Sequence, residues 1–234
     1  MNARAISLSL RKLGDAAIAK HSQRFFKTGK GEYGEGDRFL GIRVPMLRSH
    51  LRQYHDVEAT EVLKLLASDY HEERLFALLW LVARFQRAGE SERGWIYRQY
   101  LAHTQYINNW DLVDSSADKI VGAYLQRRSR KPLYRLARSK SLWERRIAII
   151  ATFDFIRRND FEDTLALCEL LLGDSHDLIH KAAGWMLREI GKRDIEIEKT
   201  FLDRYCALMP RTMLRYAIER LPQVDRRSYL EGKR

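Results

Sequence analysis

Cysteine and proline are scarce in this chain, with two and four residues respectively among 234. Two cysteines, Cys168 and Cys206, can neither hold a zinc ion by themselves nor staple a disulfide framework, so a reducing compartment is expected. Long apolar runs are missing too. The longest, such as Ile147 to Phe153, falls far short of the roughly 20 residues that cross a bilayer, which excludes a membrane-spanning helix. Residues 1–20 lack the apolar core of a secretory signal and read as an amphipathic first helix, so a cytoplasmic location is expected. No stretch is polar enough to stay unfolded, and apolar residues suffice for a packed core.

Strand-like alternation is nearly absent, whereas apolar residues recur every three to four positions in almost every segment after residue 44. Pro45, Pro132, Pro210 and Pro222 stand where helices can begin. Ser141, followed by Glu144 ahead of an apolar run, has the form of a capping box. Five of the 13 glycines fall between Gly29 and Gly41, a stretch that must be a loop. Small residues inside the helical segments recur at Ala77, Ala117, Ala148, Ala183 and Ala217, at separations of 40, 31, 35 and 34 residues. That period fits stacked helix pairs, so the expected fold is all-α, an α-solenoid of HEAT-like or armadillo-like repeats, with an irregular helical bundle as the alternative. No linker composition divides residues 1–234, which are read as a single repeat domain with a glycine-rich loop at 29–41.

Acidic residues are outnumbered, 31 against 42 basic ones, leaving a formal charge of +11. The excess is concentrated. Arg127, Arg128, Arg130, Lys131, Arg135 and Arg138 are followed by further cations through Arg193, and clustering of this kind favours a polyanion, nucleic acid above all.

Three constellations have the residue types that chemistry needs. Gly29-x-Gly31-x-x-Gly34 spells a dinucleotide fingerprint, but no strand precedes it, and Glu32, Glu35 and Asp37 would repel a pyrophosphate, so a tight or flexible turn is the better reading. His176-Asp177-x-x-His180 has the spacing of two zinc ligands on one helix face, yet lacks a third ligand at a diagnostic distance. Capping of the helix by Asp174 or Ser175 accounts for the segment better, so no metal is expected. Trp110 and Asp114 are four residues apart and share a helix face. Either the indole is core and the carboxylate a helix charge, or an acid stands in a basic groove to stabilise the positive charge that develops on a sugar as its glycosidic bond breaks.

At these residues the sequence resembles the AlkD-type glycosylases of the DNA alkylation repair enzymes, from about Phe25 through Arg220. The W-D-x-V-D motif at Trp110 to Asp114, L-W-x-x-R at Leu142 to Arg146 and K-A-x-G-W-x-L-R-E at Lys181 to Glu189 carry the resemblance. It implies HEAT-like repeats whose concave, basic face holds duplex DNA containing alkylated purines, and a monofunctional glycosylase without cofactor, acting as a monomer and nucleoid-associated if bacterial. Asp114 would be the catalytic carboxylate, with Trp110 and Trp185 flanking the sugar and backbone of the damaged nucleotide. Arg146 and Arg188 would contact phosphates around the lesion, with Arg48 at another phosphate and Arg43 lining the groove nearby. The alternatives are a DNA-binding paralogue without catalysis and a protein-binding α-solenoid scaffold. Two departures stand out: an insertion at Lys27 to Phe39, whose three acids are expected to narrow the DNA groove, and Asn109 in place of a second aromatic residue.

Overall fold

The computed structural model describes residues 2–232. Among them the regular structure is entirely helical, and the one extended pairing is an isolated bridge between Arg38 and Tyr70. Among the described residues no helix is long and apolar enough to cross a membrane. The chain divides into two compact units, residues 1–116 and 117–234.

Unit 1 holds α1 (Ala3–Arg11), α2 (Ala16–Phe25), α3 (Val44–Leu51), α4 (Ala59–Lys64), α5 (His71–Arg87), α6 (Glu90–Ala102) and α7 (Trp110–Asp114). The expected single first helix is two helices. Asp15 caps the amides of Ala17 and Ile18, and a side chain at Gly14 would meet the Leu40 carbonyl at 2.8 Å, so the chain turns there against residue 40. In the sequence this break is signalled by Gly14-Asp15, a stop followed by an N-cap. α5 is the axis of the unit: 13 of its 17 residues are buried, and α3, α4, α6 and α7 all pack on it. Such a helix needs apolar residues all round rather than one stripe. Trp80 is buried on α5, and its indole N–H donates to the Tyr54 carbonyl at 2.7 Å.

The loop between α2 and α3 is built from turns. Gly31 and Gly36 have φ of +78° and +81°, conformations that glycine adopts without strain. Of its three acids only Asp37 leaves the surface. Glu32 accepts from the Gly29 amide and Glu35 from the Gly31 amide, both at 2.8 Å, while Asp37 is buried.

Unit 2 begins with a π-helical turn (Asp118–Gly122) and continues through α8 (Ala123–Leu125), α9 (Lys131–Ala137), α10 (Leu142–Ala151), α11 (Phe153–Ile156), α12 (Glu162–Leu170), α13 (Asp177–Gly191), α14 (Ile195–Tyr205), α15 (Arg211–Ala217) and α16 (Gln223–Glu231). α9 packs on α10, α10 on α13 and α13 on α15, with α12 and α14 also against α13. The five recurring alanines are all fully buried. Glycine serves where the approach is closer still: a methyl group at Gly184 would lie 2.3 Å from the Met213 carbonyl and 2.6 Å from Tyr216 Cβ. All four prolines open helices, Pro45 and Pro132 inside the first turn, Pro210 and Pro222 at the N-cap. The capping box is half made. Ser141 Oγ accepts from the Glu144 amide, but the Ser141 amide donates to Ser139 Oγ instead.

Candidate functional site

In unit 1, Asn109 starts α7 by turning its side-chain oxygen back onto the Trp110 amide at 2.8 Å. α7 is a single turn, with Trp110 at its first position and Asp114 at its last. Both side chains therefore leave the same face, and both residues are half-buried. Trp110 has a rigid backing. Phe26 stacks on it with ring centroids 5.2 Å apart, Phe25 meets it edge-on at 5.9 Å, and Phe26 stacks in turn on Phe39 at 5.0 Å.

The far end of this aromatic column is His71, stacked on Phe39 at 4.6 Å. Sequence reasoning missed it. His71 is buried, with Nδ1 2.8 Å from Asp37 and Nε2 2.7 Å from Asp111. Burial pulls the imidazolium pKa down, but the two carboxylates outweigh it and hold the group up at about 9, so His71 is charged at neutral pH. Asp37 is desolvated as well, yet its bonds and charge interactions with His71 and Arg74 leave its pKa below the ordinary value. Asn109 Nδ2 adds a longer contact to Asp37 at 3.5 Å. Asp111 is thus anchored to the glycine-rich insertion through a buried cation, and Asn109 directly. The available signal was His71-Glu72-Glu73-Arg74, four polar residues directly before the apolar run Leu75 to Ala83.

Arg43 and Arg48 are exposed on and before α3. Arg43 shares an open groove of about 630 Å³ with Ala17, Ile18, His21 and Phe25. Phe25 is 58% exposed, so a cation and an aromatic face meet solvent together beside Trp110. Arg48 does not line that groove.

In unit 2, Trp185 is half-buried near Phe153, with centroids 5.8 Å apart. Its indole N–H donates to Glu189 Oε1 at 2.9 Å, so the last acid of the K-A-x-G-W-x-L-R-E motif orients the tryptophan one turn before it. Arg188 bonds the Glu219 carboxylate. Arg146 is placed differently from what its expected phosphate contact calls for: it is 5% exposed, and its guanidinium donates to the Leu178 carbonyl at 2.5 Å, tying α10 to the first turn of α13. The two histidines are used in capping. His176, rather than Asp174 or Ser175, is the N-cap of α13, accepting from the Leu178 amide at 3.2 Å, and His180 Nε2 donates to the Asp174 carbonyl.

A family model for DNA alkylation repair enzymes matches residues 6–221, nearly the whole chain. The chain belongs to that family. No curated protein matches it. Among solved structures, this family member is similar to a predicted DNA alkylation repair enzyme from Enterococcus faecalis at 16% identity, with a TM-score of 0.68, over 90% of this chain and 97% of that one. At that identity the likeness concerns the fold alone, and it agrees with the all-helical architecture. Membership gives the family member a DNA repair role with DNA as its partner.

Proposed function

We propose that the chain is a monofunctional alkylpurine DNA glycosylase that removes N3- or N7-alkylated purines from duplex DNA and leaves an abasic site. The observation that carries this reading is the Trp110–Asp114 pair, half-exposed on one turn of helix whose first two residues are fixed from behind by Phe26 and by the His71–Asp111 ion pair. Preorganised groups aimed at developing charge are what such a reaction needs.

An N3- or N7-alkylated purine already carries positive charge and leaves as a neutral base. The C1′–N9 bond breaks with both electrons going to the purine, the sugar passes through an oxocarbenium-like state, and a water oxygen forms the new bond to C1′. Asp114 stabilises the sugar cation and takes up the water's proton, while the Trp110 face supports the same charge. A leaving group this good needs no deep pocket for an extruded base, and the reading calls for no metal or organic cofactor. Trp185 and Arg188 meet the same DNA by family resemblance. Arg43 and Arg48, both exposed, contribute charge that attracts phosphates. Arg146, almost wholly inside, supports the placement of α13.

Release of 7-methylguanine and 3-methyladenine from alkylated duplex DNA by purified protein tests the reading. Release by the wild type, lost in Asp114→Asn, is the expected result. Tight binding of the same duplex without release would leave a non-catalytic DNA-binding protein, and no binding at all would turn attention to a protein partner.

A further inference from the structure

Arg188 is surrounded by acids that differ in what they can give up. Its side chain is 18% exposed, and Nη1 is paired with Glu219, which lies in the turn Ile218–Arg220 that continues α15 and is 48% exposed. Glu189 is nearer in sequence but already used, accepting from Trp185 at 2.9 Å and Lys192 at 2.6 Å, and it stands 3.6 Å from Arg188, beyond hydrogen-bond reach. Glu198 belongs to the buried side. A side chain at Gly191 would collide with its carboxyl at 1.7 Å, so only glycine lets that carboxyl press against the end of α13. One of its oxygens, like Nε of Arg188, has no hydrogen-bond partner. Burial pushes Glu198 up to about 8 against the pull of Arg188 and Lys199, so it is largely uncharged at neutral pH and does not neutralise the arginine.

Arg188 therefore has one charged, direct and solvent-facing partner. A carboxylate there presents two oxygens to the guanidinium fork as a phosphate does. We propose that Glu219 is a built-in competitor for the DNA phosphate at Arg188, pairing with the arginine in the free protein and yielding it when duplex binds. This rests on the reading of Arg188 as a DNA contact. Because Trp185 and Arg188 both face Glu189, the exchange takes place one ion pair away from the tryptophan assigned to the site.

The experiment measures binding of an undamaged duplex over a series of salt concentrations for wild type, Glu219→Gln, Arg188→Ala and the double variant. Glu196→Gln, an exposed acid on α14, reports the effect of net charge alone. Arg188→Gln, which keeps most of the side-chain stem, serves as background if the alanine variant fails to fold. With the competitor removed, affinity should rise about two- to fivefold, the scale of one exposed ion pair. The slope of log affinity against log salt should stay at the wild-type value, because it counts the phosphates neutralised and Arg188 meets one in both proteins. The gain in affinity should vanish without Arg188. A gain no larger than that of Glu196→Gln, or one that persists in the double variant, would overturn the proposal. If Arg188→Ala weakens binding but Glu219→Gln changes nothing, only the competitor is lost; if Arg188→Ala binds like wild type, the arginine leaves the DNA contact and the competitor leaves with it.

Discussion

His71 Nε2 lies 2.7 Å from Asp111 Oδ2, which fixes the residue after Trp110 to the first residue of α5. With Asp37 on the other ring nitrogen, the imidazolium is kept charged at the positive end of a helix, where the dipole disfavours it. A folded pKa of about 9 against 6.5 for the free group corresponds to on the order of 3 kcal/mol.

The sign of that linkage gives the first prediction. His71 is raised, so its contribution is complete below about pH 6.5 and is lost as pH climbs toward 9. Asp37 is lowered, so its contribution is present above its ordinary value near 3.8 and is lost in acid. Thermal melts should show stability falling between pH 7 and 9.5 in the wild type. In Asp111→Asn the His71 titration, followed by NMR, should move to lower pH. A His71 resonance that titrates near 6.5 in the wild type would contradict the paired geometry.

Asp114→Asn should lose most base release while keeping or slightly gaining duplex affinity, since one negative charge leaves a cationic surface. Single-turnover excision together with a binding isotherm separates the two effects. Unchanged excision would remove Asp114 from the mechanism.

The tryptophans should divide by burial. Trp80→Ala, which empties a core site and removes the indole bond to the Tyr54 carbonyl, should cost about 3–5 kcal/mol. Trp110→Ala, at a half-buried position, should cost about half of that or less and take a larger share of activity per folded molecule. Chemical denaturation and excision rates on the same preparations check both.

Arg146→Ala should lower stability by about 2 kcal/mol through the lost bond to the Leu178 carbonyl and leave the salt dependence of DNA binding unchanged. Arg188→Ala should instead reduce the salt slope by roughly one. Equal slopes in the two variants would show that burial does not separate them.

Much of unit 2 was legible because helix packing leaves a mark in composition: Ala148, Ala183 and Ala217 are fully buried, and Gly184 lies against Met213 and Tyr216. The prolines were legible because their missing amide confines them to helix starts. What stayed hidden was polar and long-range. Asp37 and Asp111 lie 34 and 40 residues from His71, and nothing in a periodicity or a local motif connects them. Of the acids in the glycine-rich insertion, Glu32 and Glu35 stay exposed and bond amides close by in sequence, whereas Asp37 meets a histidine that only the fold brings near. Arg146 had the right neighbours for a phosphate contact, but spacing alone could not say that its guanidinium turns inward.

The head of α5 also bears on how the chain acquires its structure. His71, Glu72, Glu73 and Arg74 are consecutive and all buried, and at about 100° per residue they point in four directions. Glu72 accepts from the amides of Leu40, Gly41 and Ile42, Glu73 from Ser7, Arg11 and Ser68, and Arg74 reaches Asp37, while His71 joins Asp37 to Asp111. These contacts span up to 66 residues of sequence. Loop closure must precede their reward. The α5 helix can form early from its own apolar residues, but its polar head completes only when the N-terminal helices and α7 have both docked. Unit 1 should accordingly reach its final state in a late, cooperative step, in which correct placement of Trp110 coincides with the end of folding.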